Sequence, residues 1–76
     1  MKEVLGTIIN TLVDDKDSVV IRQIDGEQSI IFEVKVAEVD MGKVIGKQGV
    51  IAKSIRTIMK SLAAKENKRV SVEFLD

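Results

Sequence analysis

The sequence predicts an α+β fold in which three helices pack on one face of a three-stranded mixed sheet. Apolar residues recur at helical spacing near the amino terminus and again in the second half of the chain. Residues 18–24 are rich in β-branched residues, and residues 29–36 and 69–75 alternate with a period of two. With 76 residues, 45% of them hydrophobic, and no proline to divide the chain, we expect one domain over residues 1–76.

The first helix is predicted over residues 3–13. Gly6 inside this helix costs about 1 kcal/mol relative to alanine, which a close contact with another helix would explain. The exit loop carries Asp14, Asp15 and Asp17, whose oxygens suit a hard cation, but a solvated loop that ends the helix is the favoured interpretation. The predicted apolar stripe consists of Val4, Leu5, Ile8, Ile9, Leu12 and Val13.

Two strands follow and form a hairpin. Residues 18–24 are the first strand, and the Asp-Gly pair within residues 25–28 is a hairpin turn signal. Residues 29–36 alternate cleanly, and residues 69–75 alternate again after a two-helix crossover, so the third strand can lie parallel to a neighbour whose identity stays open. The faces predicted to point inwards carry Ile30, Phe32, Val34 and Val36 on the second strand and Val70, Val72 and Phe74 on the third.

Two helices lie between the second and third strands. Asp40 is predicted to cap a short helix over residues 41–45 by accepting from its first N–H groups. Gly46–Gly49 interrupts, and a longer helix follows over residues 50–64. The predicted core stripe of this longer helix is Ile51, Ile55, Ile58 and Leu62, with Lys53, Arg56 and Lys60 on the opposite side.

The charges are segregated along the chain, although the formal net charge is zero. Residues 41–69 contain eight lysines and arginines and one acid, a net charge of +7, whereas residues 1–40 carry −5. A solvated basic helix face is the simplest explanation. With one acid in 29 residues, however, a polyanionic partner is the better interpretation, because a local excess of charge makes a local field.

The residue types argue against an enzyme. Histidine and cysteine are absent, which removes the commonest general base and the best nucleophile, and we expect no catalytic residue, metal or cofactor. A nucleotide-phosphate loop of the Walker type requires four residues between its glycines and a hydroxyl after its lysine. Here three residues separate Gly42 from Gly46, and Gln48 follows Lys47, so the spacing fails.

The Gly46–Gly49 loop fits a different role, as a contact for a sugar-phosphate backbone. Glycine permits positive φ and close approach of a ligand, and the helix that follows offers N–H groups to an anion. Lys47 adds a cation at the tip. A helix cap and a turn would need the same glycines, but the placement between two helices strengthens the binding interpretation. The only aromatic residues, Phe32 and Phe74, are predicted to face inwards, so bases would rest on aliphatic surface.

Residues 40–63, which read DMGKVIGKQGVIAKSIRTIMKSLA, resemble the signature of KH domains. The element order is similar to the type II KH arrangement, and the short chain resembles the KhpA family of bacterial stand-alone KH proteins over essentially its whole length. The resemblance implies single-stranded RNA binding, RNA-chaperone activity, a homodimer, a KhpB-like partner and control of cell elongation and division. It implies an RNA-binding site formed by the loop residues Gly46, Lys47, Gln48 and Gly49, with Val44, Ile45 and Ile51 at a hydrophobic groove. From their charge and position, we expect Lys43 to join Lys47 in positioning the phosphates, and Lys53 and Arg56 to extend the basic track.

Two departures from the family pattern predict modest, weakly selective affinity. Only one of the two central loop residues is cationic, and Val50 stands where many relatives carry a basic residue. The alternative function is protein assembly, with Ala52, Met59 and Ala63 left uncovered in a monomer and available for a dimer. The lack of cysteine, signal peptide and membrane span indicates a cytoplasmic protein without a membrane partner.

Overall fold

The computed structural model describes residues 1–75 as three helices and a three-stranded sheet. The predicted strand–strand–helix–helix–strand order after the first helix is confirmed, and most bounds lie within two residues of the predicted ones. Within the described residues, no helix is both long enough and apolar enough to cross a membrane. The elements are α1 Lys2–Leu12, β1 Val20–Asp25, β2 Ser29–Lys35, α2 Met41–Ile45, α3 Val50–Lys65 and β3 Arg69–Leu75.

The sheet has the order β1-β2-β3. β1 and β2 are antiparallel and joined by a tight hairpin, in which the Gly26 N–H donates to the Ser29 carbonyl at 2.8 Å. β3 lies parallel to β2, with Val72 beside Phe32. The α2–α3 crossover makes this parallel pairing possible. The sequence did not identify the neighbour of the third strand, and the structure shows that it is β2.

The core lies between the helices and the inner face of the sheet. The predicted alternation of β2 is confirmed, because Ile30, Phe32 and Val34 are buried and Lys35 is exposed. On α1, Leu5 and Ile9 are completely buried, whereas other members of the predicted stripe lie at its margins. The core side chains with no exposed surface are Leu5, Ile9, Phe32, Val34, Val44, Met59 and Ala63.

The buried stripe of α3 differs from the predicted one. Ile58 is 44% exposed, and Ile51 and Leu62 are only half-buried. Relative to the prediction, the helix is rotated about its axis so that Ala52, Met59 and Ala63 are buried in place of Ile51, Ile58 and Leu62. Both stripes have helical spacing, so periodicity alone did not distinguish them. The residues that α3 buries are Ala52, Ile55, Met59 and Ala63, and the expectation that Ala52, Met59 and Ala63 lie uncovered is wrong.

Gly6 is not held in α1 by a close helix contact. A Cβ at this position would meet only the Ile21 Cδ1 of β1, at an ordinary 3.9 Å. We therefore expect Gly6→Ala to raise the free energy of unfolding by about 0.5–1 kcal/mol, because alanine loses less backbone entropy in a helix interior. Urea unfolding measures this change, and a destabilised Gly6→Ala protein would contradict it.

Candidate nucleic-acid interface

The Gly46–Gly49 loop joins α2 to α3 through three residues with positive φ. These are Gly46 at 77°, Gln48 at 56° and Gly49 at 76°. The Gly46 N–H ends α2 by donating to the Gly42 carbonyl at 2.9 Å, and the Gly49 N–H donates to the Gly46 carbonyl at 3.3 Å. The loop is therefore a defined turn rather than an open connection.

The two glycines are required for different reasons. A Cβ on Gly46 would lie 2.7 Å from Ile51 Cγ1, so this position combines a left-handed backbone with a steric limit. A Cβ on Gly49 would meet no atom within 4 Å, so its glycine is required only by the backbone conformation. Gln48 adopts positive φ without being glycine, which places backbone strain at the tip of the loop.

Lys47 and Gln48 are both exposed, as the sequence predicts for the tip. The Val50 N–H donates to the Lys47 carbonyl, so the first N–H of α3 is used within the turn. The prediction that the N–H groups after Gly49 bind a phosphate is therefore corrected for Val50, whose N–H already has an acceptor. The tip presents a cation and an amide side chain on a backbone fixed by its neighbours.

The apolar residues around the loop have unequal access to a ligand. Ile45 and Ile51 are half-buried and retain surface beside the loop. Val44 has no exposed surface and packs in the core beneath α2. This corrects the expectation that Val44 lines a binding groove, because a base cannot reach it. Val44 lies on the inner side of α2 and Ile45 at its margin, and the adjacent Val-Ile pair in the sequence did not show which of the two would be buried.

Arg56 links α3 to the edge of the sheet. Its Nε donates to the Val72 carbonyl at 3.0 Å, and its guanidinium lies 5.5 Å from the centroid of the Phe74 ring. Within residues 1–75, β3 pairs with a strand on one side only. Arg56 therefore covers part of the open strand edge by binding one of its free carbonyl groups.

A basic groove follows the edge of β3 alongside α3. It consists of two adjoining cavities of about 280 and 480 Å³, which share Lys60, Val70 and Ser71. Lys60, Lys68 and Arg69 belong to the positive segment, but sequence reasoning did not assign them to the site. Lys60 follows Arg56 by one turn of α3, whereas Lys68 and Arg69 join the groove only because β3 packs alongside α3, which sequence spacing alone did not show. This α3–β3 groove is lined by Arg56, Lys60, Lys68, Arg69, Val70, Ser71, Val72 and Glu73.

Asp40 precedes α2 but its carboxylate does not cap that helix. It accepts instead from the Asp14 N–H at 3.1 Å and the Asp15 N–H at 3.0 Å, in the loop after α1. Lys43 Nζ lies 3.2 Å from Asp40 Oδ1 and also donates to Asp14 Oδ2. The predicted cap is therefore replaced by a contact between two distant segments, which only the tertiary structure creates.

The same contacts perturb both titrating groups. The backbone N–H groups of Asp15 and Asp14 lower the pKa of the Asp40 carboxyl, and Lys43 adds to the effect. Hydrogen bonds to Asp14 and Asp40 raise the pKa of the Lys43 ammonium. Lys43 is thus held on the acidic side of α2, whereas Lys47 points into solvent. No group of acidic residues among those described is arranged to hold a metal ion.

The lowered pKa of the Asp40 carboxyl predicts how the stability of the protein depends on pH in acid. The Asp40 carboxyl titrates near 3.8 when unfolded and lower when folded, so its stabilising effect is present above this pH and lost as the pH falls through the folded-state pKa. We expect the urea midpoint to fall in this range, and to fall less in Asp40→Asn. Asp17→Asn, at an exposed position, should keep the wild-type pH dependence. An Asp40→Asn protein as acid-sensitive as the wild type would contradict the assignment.

Comparisons with known proteins identify the family of the chain. Residues 2–74 match the family model described as KhpA/KhpB, KH domain. The chain is 61% identical to RNA-binding protein KhpA of Clostridium acetobutylicum over 99% of this chain and 100% of the relative. It is 57% identical to the protein of that name from Caldanaerobacter subterraneus, with the same coverage. The Borreliella burgdorferi protein is 46% identical over 97% of this chain and 90% of its own length. The chain belongs to the KhpA/KhpB family of KH-domain proteins.

Proposed function

We propose that the chain binds single-stranded RNA without catalysing a reaction and that residues 1–76 act as one domain. The observation that carries the proposal is the Gly46–Gly49 loop, which presents Lys47 and Gln48 at the start of α3, the helix whose Arg56 and Lys60 line the basic α3–β3 groove. Relatives that match nearly the whole chain are named RNA-binding proteins, which supports the same conclusion.

In the proposed complex, the sugar-phosphate backbone passes over the loop. Gly46 and Gly49 allow close approach, and Lys47 neutralises a phosphate while Gln48 donates a hydrogen bond. Lys53 is exposed on α3, the helix that follows the loop, and extends the positive surface. A KH groove holds about four nucleotides, so the contact is short.

The bases would lie towards the α3–β3 groove. The half-buried Ile45 and Ile51 offer aliphatic surface near the loop, and Arg56 and Lys60 line the groove further along α3. Phe32 is fully buried, so it cannot stack on a base. Aliphatic contacts to the bases and a single cation at the loop tip, Lys47, favour modest affinity with little sequence selectivity.

Weak selectivity suits an RNA chaperone in the cytoplasm, which must bind and release many sequences. Within this proposal the protein acts with a KhpB-like KH protein in control of gene expression and of cell elongation and division. Family resemblance is the support for this partner and for these cellular roles.

The experiment is a titration of the protein with a short single-stranded RNA and with a duplex of the same sequence, over a series of salt concentrations. With two to four phosphates neutralised, log K should fall against log salt with a slope of about −1.4 to −2.8. We expect the single strand to bind more tightly than the duplex. Absence of binding at low salt, or a slope near zero, would refute the proposal.

Protein assembly is the second candidate, and the outer face of α3 favours it. Val50 is 58% exposed and Ile58 is 44% exposed, and both line a depression of about 420 Å³. The dimer surface would then lie on this outer face, and not at Ala52, Met59 and Ala63, which are buried. Ile58→Asp should then abolish any concentration-dependent increase in mass. A dimer that survives this change, or a wild type that remains monomeric, would remove this candidate.

A further inference from the structure

Asp40 is a fully buried charged residue that the proposed RNA contacts do not use. Its carboxylate is satisfied by the Asp14 N–H, the Asp15 N–H and Lys43 Nζ, at 3.0 to 3.2 Å. Burying a carboxylate is costly unless its oxygens are hydrogen-bonded, so the three donors explain how the charge is tolerated. The arrangement connects the loop after α1 to the first turn of α2.

The position of Asp40 gives this anchor a consequence for the Gly46–Gly49 loop. α2 has 5 residues, which is about 7.5 Å of helix, and it begins immediately after Asp40 and ends immediately before Gly46. Val44 is the buried residue within α2. Asp40 at one end and Val44 near the other therefore fix the short helix, and with it the position from which the loop starts.

Lys43 is part of the same contact. Its ammonium lies between Asp14 and Asp40, and the second of these carboxylates is completely buried. Two of the three N–H groups of this ammonium are taken by the two carboxylates, and a phosphate at the third would meet the negative charge of both. Lys47 has no ion-pair partner of this kind among the described residues and is exposed.

We propose that Asp40 is a positioning residue for the Gly46–Gly49 loop and that Lys43 belongs to this anchor, not to the phosphate contacts. The proposal rests on the RNA-binding function proposed above. It reassigns one of the cations that sequence reasoning placed in the RNA site, and it gives the acidic loop after α1 a role in holding that site.

Lys43→Gln and Lys47→Gln are a matched pair that tests the assignment of Lys43, because each removes one cation close to the loop. Binding of a short mixed-sequence single-stranded RNA is measured over a series of salt concentrations. Lys47→Gln should reduce the magnitude of the salt slope by about 0.7, the value for one phosphate on a single strand. Lys43→Gln should weaken binding several-fold and keep the wild-type slope. An equal loss of slope in both variants would overturn the assignment.

Asp40→Asn tests the positioning role in the absence of RNA. It keeps the side-chain shape but removes the charge, and we expect the amide NMR signals of Gly46–Gly49 to shift in the folded variant. Its RNA affinity should fall several-fold with the wild-type salt slope, a result that lost stability alone would not produce. Unshifted loop signals with unchanged affinity would overturn the proposal.

Failure of RNA binding and failure of Asp40→Asn to fold can each be distinguished from failure of the positioning role. If the wild type binds no RNA, the proposed function fails, while the loop signals of Asp40→Asn still decide whether the anchor positions the loop. If Asp40→Asn does not fold, the loop signals of Lys43→Gln decide. This variant removes one of the three donors to the Asp40 carboxylate, and it should fold because both backbone hydrogen bonds to Asp40 remain. Shifted signals there support the anchor, and unshifted signals refute it.

Discussion

Replacing Lys47 and Gln48 together by aspartate is expected to lower the affinity for single-stranded RNA by about tenfold or more, which corresponds to about 1.4 kcal/mol. The change removes the cation at the tip and places two negative charges where the phosphates would pass. The fold should be retained because both side chains are exposed. RNA binding and urea unfolding of the same preparation measure the two effects.

The control is Lys2→Asp with Gln23→Asp, which changes the net charge by the same amount at exposed positions on α1 and on β1, the opposite edge of the sheet. A general electrostatic effect would weaken binding equally in both double variants. We expect the control to remain close to the wild type. Unchanged affinity in a folded loop variant would show that the Gly46–Gly49 loop does not contact RNA.

Gly46→Ala is expected to destabilise the protein by about 1–3 kcal/mol. The new methyl group would meet the Ile51 side chain at 2.7 Å on a backbone whose φ is +77°. Ile51 is in the first turn of α3, so relief of the clash would also move the helix that carries Lys53 and Arg56. Urea unfolding measures the loss of stability.

Two other glycines provide matched controls for this change. Gly49→Ala has the same sign of φ but open space around the methyl group, so we expect a smaller loss of about 1 kcal/mol. Gly42→Ala lies in α2 with no atom within 4 Å, and should be neutral or stabilising. Equal stability of Gly46→Ala and Gly42→Ala would contradict the steric argument.

Local patterns were sufficient for most of the fold. The alternation in residues 69–75 gave the bounds of β3, and the Asp-Gly pair gave the hairpin. The Gly-x-x-Gly spacing predicted an interruption between two helices at Gly46–Gly49, and α2 and α3 are separated there. These features depend on contacts within a few residues or on one buried face, which the sequence records directly.

Long-range contacts account for what the sequence did not reveal. Asp40 satisfies N–H groups of Asp14 and Asp15, 26 and 25 residues away, and no local pattern marks that pairing. The rotation of α3 depends on which of its faces packs against the rest of the core, and the two candidate stripes have the same helical spacing. The α3–β3 groove exists only once β3 pairs with β2, which is why Lys60 was counted as a charge and not as part of a site.

The most direct test of the account is an amide NMR titration of the wild-type protein with a short single-stranded RNA. The predicted result is a set of salt-sensitive shifts at Gly46–Gly49, in the first turn of α3 and along β3 from Arg69 to Glu73. The signals of β1 on the opposite edge of the sheet should remain unchanged. Shifts confined to β1 or to the outer face of α3 around Ile58, with none in the loop, would contradict it.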